Sequence, residues 1–462
     1  MDADPAFGSI TELAPHLASG ELSPVDVTET VLARIEQCDV RFNAYITVTA
    51  DEARKTAHDA EAAIKAGNYI GPLHGIPVAV KDLFATRGVR TTAGSLLFDD
   101  WIPTHDAAVV ERLKDAGAII VGKTNMQELA YGTKSDNPHY GPVRNPWDTA
   151  CHPGGSSGGS AAALAAGLAI AALGSDTGAS IRQPAACCGV VGLKPTYGRV
   201  SKWGAVPLAW SMDHAGPMAR CVGDAAIMLR VLAGYDDRDP TSVHRPVPDY
   251  PAAIGAGIEG SRIGVARAYF FDDCAPEVEA CMEAALGVFR DLGASVEDVG
   301  LADMRTGRAA SSVIISAEAS AYFGANVRQR PDAVSDVVRE SLELGGFYTT
   351  EQYLLAQRFR RYQTTEISRI LAGFDVLVMP TSAIPAGPID QDPPGHGLLR
   401  WRNCEPFNLT GLPAISLPCG FTAAGLPVGL QIVGKAFDEA GIMKVAHAYE
   451  QATPWHRQHP PV

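Results

Sequence analysis

The stretch GSDTGASIRQPA, Gly174 to Ala185, reads as a turn built from Gly174, Gly178 and Ala179 that presents Ser180 and Arg182 directly after the apolar run AGLAIAAL. Such a serine could be a nucleophile, but a serine hydroxyl is weak at neutral pH and needs an adjacent base. The twelve histidines form no constellation that nominates one of them. A desolvated lysine can replace histidine, because burial disfavours the ammonium and lowers its pKa. Lys81 closes the apolar strand GIPVAVKD and is placed for that role, although from the strand alone snorkelling to solvent is the commoner fate.

Two other patterns have chemical spacing without the context. GAIIVGKT, Gly117 to Thr124, satisfies a phosphate-loop pattern, yet its middle residues are a strand and leave no loop to wrap a phosphate; Lys123 is expected at the end of a buried strand. GGSSG, Gly154 to Gly158, satisfies the nucleophile-elbow pattern around Ser156, but the preceding NPWDTACHP carries Pro146, Asp148 and Pro153 where an apolar strand is required. Asn408 in NLT matches a glycosylation acceptor, and that match carries little weight without a secretory signal.

The elements around these residues alternate. Helices are expected over LSPVDVTETVLARIEQCD, DEARKTAHDAEAAIKAG, DAAVVERLKDAG, SAAALAAG, GDAAIMLRVLAG, TTEQYLLAQRFRRYQTTEISRILAG and DEAGIMKVAHAYEQA. AYITV, GIPVAVKD, AIIVG, RIGVARAYF, DVLVMP, PAISLP and VGLQIVG read as strands. This predicts an α/β fold, a central sheet covered by helices. The uncharged segment Cys151 to Ser175 is too poor in large apolar residues to span a membrane and reads as a buried core helix. The Asp- and Pro-rich stretch 235–260 is the best candidate for a boundary or surface excursion.

With 462 residues, 46% hydrophobic and 19% charged, the chain can bury a large core. A net charge of −14 with no basic strip argues against gripping nucleic acid and favours a small-molecule substrate. Nine scattered cysteines without a CxxC suggest reduced thiols, neither a disulfide framework nor a zinc site. The N-terminus lacks a basic start followed by an apolar stretch, so a cytoplasmic location is expected, with no membrane association.

PLHGIPVAVKDLF, GKTNMQELAYG, PGGSSGGSAAA and LGSDTGASIRQPAACCGVVGLKPTYGRVS together resemble the amidase signature family, a match running from about Leu32 to Thr453 and densest between Leu73 and Met218. The resemblance implies one amidase signature domain over residues 1–462, with a twisted mixed sheet covered by helices on both faces. It also implies a Ser-cisSer-Lys triad: Ser180 as nucleophile, Ser156 after a cis peptide as relay and Lys81 as base, with no metal and no cofactor. In that frame the backbone N–H groups of Thr177, Gly178, Ala179 and Ser180 form an oxyanion hole. Asp176 and Arg182 are expected to brace it as a pair, with Ser157 as a supporting hydrogen-bonder. Ala130, Tyr131 and Gly132, where the family's acyl-binding wall lies, and Trp210 are candidate substrate contacts. Ala179 departs from the family's usual glycine; its methyl would be unfavourable at positive φ.

Two functions compete within the family. The leading expectation is a stand-alone amidase, monomer or homodimer, cleaving a neutral amide, aryl amide or carbamate. The alternative is an A subunit of the glutamyl-tRNA(Gln) amidotransferase, releasing ammonia from glutamine. LKPTYGRVS and VGKAFDEA resemble that subunit, whereas LAWSMDHAGPMAR resembles the stand-alone enzymes and no arginine-bearing motif for the glutamine carboxylate is evident.

Overall fold

Eleven strands form one mixed sheet in the computed structural model, which describes residues 4–391 and 393–462. In chain order they are β1 (Tyr45–Val48), β2 (Pro77–Lys81), β3 (Ile119–Thr124), β4 (Ala171–Asp176), β5 (Val191–Lys194) and β6 (His214–Ala219). They continue as β7 (Arg262–Ala266), β8 (Ser295–Val299), β9 (Val376–Pro380), β10 (Ala414–Phe421) and β11 (Pro427–Val433). Their spatial order is β1-β3-β2-β4-β6-β5-β10-β11-β9-β7-β8, and helices cover the sheet.

The site depends on the first half of this sheet. β2 lies between β3 and β4, parallel to both, with Val80 opposite Leu173. Parallel neighbours end on the same side, so the C-terminal ends of β2 and β4 deliver Lys81 and Ser175 to one place. All five residues of β2 are buried, as a strand covered on both faces requires.

The uncharged segment before Ser180 is not one buried helix. It holds the helix Gly158–Ala165, a reversal at Gly167 (φ +69°) and then β4. An unbroken run of small and apolar residues has neither the helical nor the strand period, so sequence could not divide it. Glycine permits the close fit: a Cβ on Gly159 would collide with the Asn125 and Ala44 carbonyls. The turn is also shorter than expected. Gly174 belongs to β4, and Arg182 opens the helix Arg182–Cys188, because the Asp176 carboxylate accepts the amides of Ile181 and Arg182 and starts that helix.

The helices expected from SPVDVT, DEARK and TTEQ appear as Pro24–Phe42, Ala50–Lys65 and Thr350–Leu371. Ser23 caps the first by accepting from the Val25 amide, and Thr349 with Gln352 forms a capping box on the third. Helices Pro276–Asp291, Met304–Gln329 and Asp336–Gly345 and strands β5, β6 and β8 go beyond the elements expected from sequence. Stretch 235–260 is tied down rather than loose: Ser201 donates to Asp236 (2.8 Å), and Arg238 bridges Asp236 and Glu111. The sheet continues beyond it, since β7 pairs with β9. Among the described residues no helix is long and apolar enough to cross a membrane. All nine cysteines are free thiols.

Candidate active site

Lys81 is fully buried, and its Nζ is surrounded by three serine hydroxyls: Ser156 Oγ at 2.7 Å, Ser157 Oγ at 2.8 Å and Ser175 Oγ at 2.8 Å. Burial drives its pKa down to about 7, against the opposing pull of the Asp176 and Asp213 carboxylates. At neutral pH about half of such an amine carries a lone pair that can take a proton.

Ser156 and Ser157 sit at the mouth of the helix Gly158–Ala165, and the Gly155–Ser156 peptide is cis. This loop is pinned from three sides. The Gly155 amide donates to Gln183 Oε1 (2.8 Å), the Gln127 amide to the Ser156 carbonyl (3.1 Å), and the Ser157 amide to the Ser180 carbonyl (3.2 Å). The last bond joins the loop of Ser156 to the turn of Ser180. Gly155 has no room for a side chain, because a Cβ there would press on the backbone of Thr133 and Lys134 at 3.0 Å.

Ser180 is 6% exposed and faces a cavity of about 370 Å³. Thr177, Gly178 and Ala179 line the same cavity. Among the described residues, the backbone N–H groups of these four residues donate to no other protein group. Unpaired amides gathered at a cavity wall are free to stabilise an oxygen that gains negative charge. Ala179 has a negative φ, so its methyl is accommodated without left-handed strain. Trp401 lies against Gly178, where a Cβ would stand 3.4 Å from its ring.

Beneath the turn, Arg182 and Asp176 form a fully buried two-pronged ion pair with both contacts at 3.0 Å. Arg182 also donates to the Cys404 carbonyl (2.9 Å), Gln431 Oε1 (2.6 Å) and Asn408 Oδ1. Burial alone would raise Asp176, but the Arg182 guanidinium outweighs it and holds the carboxyl well below the usual range. Asn408 returns two bonds to Asp176, from Nδ2 to the backbone carbonyl (2.9 Å) and to Oδ1 (2.8 Å). The asparagine of the glycosylation-like NLT is therefore an interior brace.

Of the candidate substrate contacts, Ala130, Tyr131 and Gly132 line the Ser180 cavity, and the Tyr131 hydroxyl meets Ser316 Oγ at 2.9 Å. Trp210 does not line it. Trp210 is 43% exposed and lines a neighbouring chamber of about 340 Å³, which shares only Ala130, Thr177 and Leu208 with the first. Its carbonyl accepts from Tyr197 Oη and Lys202 Nζ, both at 2.8 Å, which anchors this segment. Lys123 is buried against Asp82 (3.2 Å), Thr91 (2.6 Å) and the Phe84 carbonyl (2.9 Å) on an extended strand, an arrangement that cannot wrap a phosphate.

Sequence reasoning missed Ser175, Gln183, Asp213, Ile315 and Trp401. Ser175 was within reach, because recognising β4 as a strand parallel to β2 would have set its hydroxyl beside Lys81. Ile315 and Trp401 come from distant segments and carry no local signal. Among the described residues no group of three His, Cys, Asp or Glu is placed to hold a metal ion.

The Amidase family model matches residues 26–443. The chain is 42% identical over 480 residues to the A subunit of a glutamyl-tRNA(Gln) amidotransferase of Geobacter sp. (strain M21), covering 98% of this chain and 99% of that protein. Among solved structures it resembles one described as part of a vestigial protein complex that reveals the origins of an s-triazine catabolic enzyme. That likeness has a TM-score of 0.92 and 36% identity, covering 96% of this chain and 98% of the other. It also resembles a bacterial aryl acylamidase of the amidase signature family, with a TM-score of 0.90 and 29% identity over 98% of this chain and 97% of the other. The chain belongs to the amidase signature family, whose enzymes cleave carbon–nitrogen bonds.

Proposed function

We propose that this chain releases ammonia from the side-chain amide of glutamine through a serine acyl-enzyme, acting as the A-type subunit of an amidotransferase. The observation that carries the chemistry is Lys81, buried and caged by three hydroxyls, with the loop of Ser156 bonded to the turn of Ser180. Ser180 Oγ attacks the amide carbon while its proton passes through Ser156 to neutral Lys81. The carbonyl oxygen, now negative, is held by the free amides of the turn. The lysine proton returns through Ser156 to the nitrogen, and ammonia leaves. Water then attacks the ester by the same relay, giving glutamate and restoring Ser180.

Two observations support glutamine as substrate. A relative 42% identical along nearly the whole chain is named as one of the subunits of an amidotransferase. The Ser180 cavity also carries charges of both signs, Lys134 and Asp136 with 3.4 Å between them, which suits the ammonium and carboxylate of a free amino acid. A stand-alone amidase acting on a neutral amide, aryl amide or carbamate is the second reading. It is favoured by the apolar part of the wall, Ala130, Leu208, Ile315, Val337 and Trp401, and by the likeness to the aryl acylamidase. Ammonia release by the purified chain from glutamine, set beside a neutral aliphatic amide, an aryl amide and a carbamate, separates them. Turnover of the neutral compounds with glutamine inert, both alone and with candidate partner proteins added, rejects the first reading.

A further inference from the structure

We propose that Ser175 is a positioning residue that turns the lone pair of neutral Lys81 toward Ser156. This rests on Lys81 being the base.

A neutral amine has two N–H donors and one lone pair, and three hydroxyls within hydrogen-bond distance of Nζ compete for those three positions. For Ser156 to hand over a proton, the lone pair must face Ser156 Oγ. Ser157 and Ser175 must then both accept. Ser157 is committed to accepting: its own proton goes to the Ser175 carbonyl (3.2 Å), and it also takes the Ser175 amide (3.3 Å).

Ser175 is the hydroxyl with a choice. Among the described residues its Oγ has Lys81 as its hydrogen-bond partner, and the residue lines the second chamber, to whose lining Ser180 does not belong. With its proton sent into that chamber, Ser175 accepts from Lys81 and the relay is set. With its proton sent to Nζ, it captures the lone pair, and Ser156 is left receiving a proton instead of giving one. The charged groups near this cage are Asp176, itself paired with Arg182, and Asp213, which accepts from Thr177 Oγ1 (2.6 Å); Asp82 beside Lys81 is neutralised by Lys123. They act through charge, whereas Ser175 acts through direction.

Ser175→Thr and Ser175→Val test this, since the two side chains match in size and differ in the hydroxyl. The readout is the rate at which a fluorophosphonate labels Ser180, measured across pH, which needs no knowledge of the substrate. Threonine should keep the rate within about threefold, and valine should lower it about tenfold or more, the scale of one hydrogen bond. Valine should also move the midpoint of the rise with pH downward by about one unit, because the ammonium loses one acceptor. Equal losses for both variants, or a valine variant with the original rate and midpoint, would overturn the proposal. If valine does not fold, Ser175→Ala takes its place with the same expectations. Lys81→Ala in the same assay guards the premise: labelling at the wild-type rate there refutes the lysine base itself.

Discussion

Replacing Lys81 by methionine should remove activity and yet stabilise the protein, by an amount that depends on pH in a defined way. In the unfolded chain the lysine titrates near its ordinary value of 10.5, and in the fold near 7, so burial of the amine costs about 1.36 kcal/mol for each unit of difference, about 5 kcal/mol in all. Between these two values the unfolded state holds a proton that the folded state has released, so raising the pH favours the fold. The cost is complete below about pH 7, shrinks by about 1.4 kcal/mol per unit above it and vanishes near 10.5. Methionine fills similar space without charge but leaves Ser156 Oγ without its lysine partner, a loss of about 1–3 kcal/mol. Ser157 keeps the Ser175 carbonyl, and Ser175 can turn to its chamber. The variant should therefore be more stable by about 2–4 kcal/mol at pH 6.5, with the advantage gone near pH 9. Urea unfolding of both proteins across that range measures the difference, and taking the difference cancels other buried acids such as Glu405 and Glu450, whose pKa values burial raises to about 7 and about 8. A methionine variant less stable at every pH, or a difference that stays level from pH 7 to 9.5, refutes a buried lysine of lowered pKa.

Four further outcomes are expected. Ser180→Ala should abolish fluorophosphonate labelling and turnover while leaving the melting temperature nearly unchanged; labelling at the wild-type level would disprove Ser180 as nucleophile. The acid limb of kcat/KM should rise about tenfold per pH unit up to a midpoint near 7, since only neutral Lys81 accepts a proton, and a flat profile with chemistry limiting would count against it. Arg182→Ala should cost about 3–5 kcal/mol in chemical denaturation, because it strands the buried Asp176 carboxylate; a loss below about 1 kcal/mol would show that Asn408 and the backbone amides suffice. Ala179→Gly should destabilise by about 0.4–1 kcal/mol, since φ is already negative and glycine only loosens the unfolded chain, and it should reorder a panel of amides by kcat/KM. An unchanged order would confine Ala179 to the fold.

The sequence made some of this site legible, and the limits are physical. Alternating β-branched residues before Lys81 and the Gly-rich run around Ser156 were readable as a strand end and a close-packed loop. The burial of Lys81 was not, because a strand shows its own pattern and never what covers it; here the loop of Ser156 and Ser157 and the end of β4 close around the amine and leave it fully buried. Strand β4 was hidden for the opposite reason. Its Ala, Leu, Gly and Ser residues continue the composition of the helix before it, and only Gly167 marks the break. Helix Met304–Gln329 went unread because half of its buried residues are Gly, Ala or Ser, which weakens the contrast with the exposed face, and yet it supplies Ile315 to the cavity.

These misses share a cause that bears on function. Helix Gly158–Ala165 and β4, beside the candidate site, are built mostly from small residues, so that backbones approach one another, and that closeness lets one lysine meet three serines from two separate segments. Small residues carry almost no periodic signal, so the region with the tightest geometry is the one that hydrophobic patterning describes least. Trp210 shows the converse: a large aromatic near the motif stands out in the sequence, and in the fold it lines the neighbouring chamber, with its carbonyl held by Tyr197 and Lys202. Residues far from the motifs in sequence, Ile315 of helix Met304–Gln329 and Arg400 and Trp401, share with Ser180 the lining of one cavity.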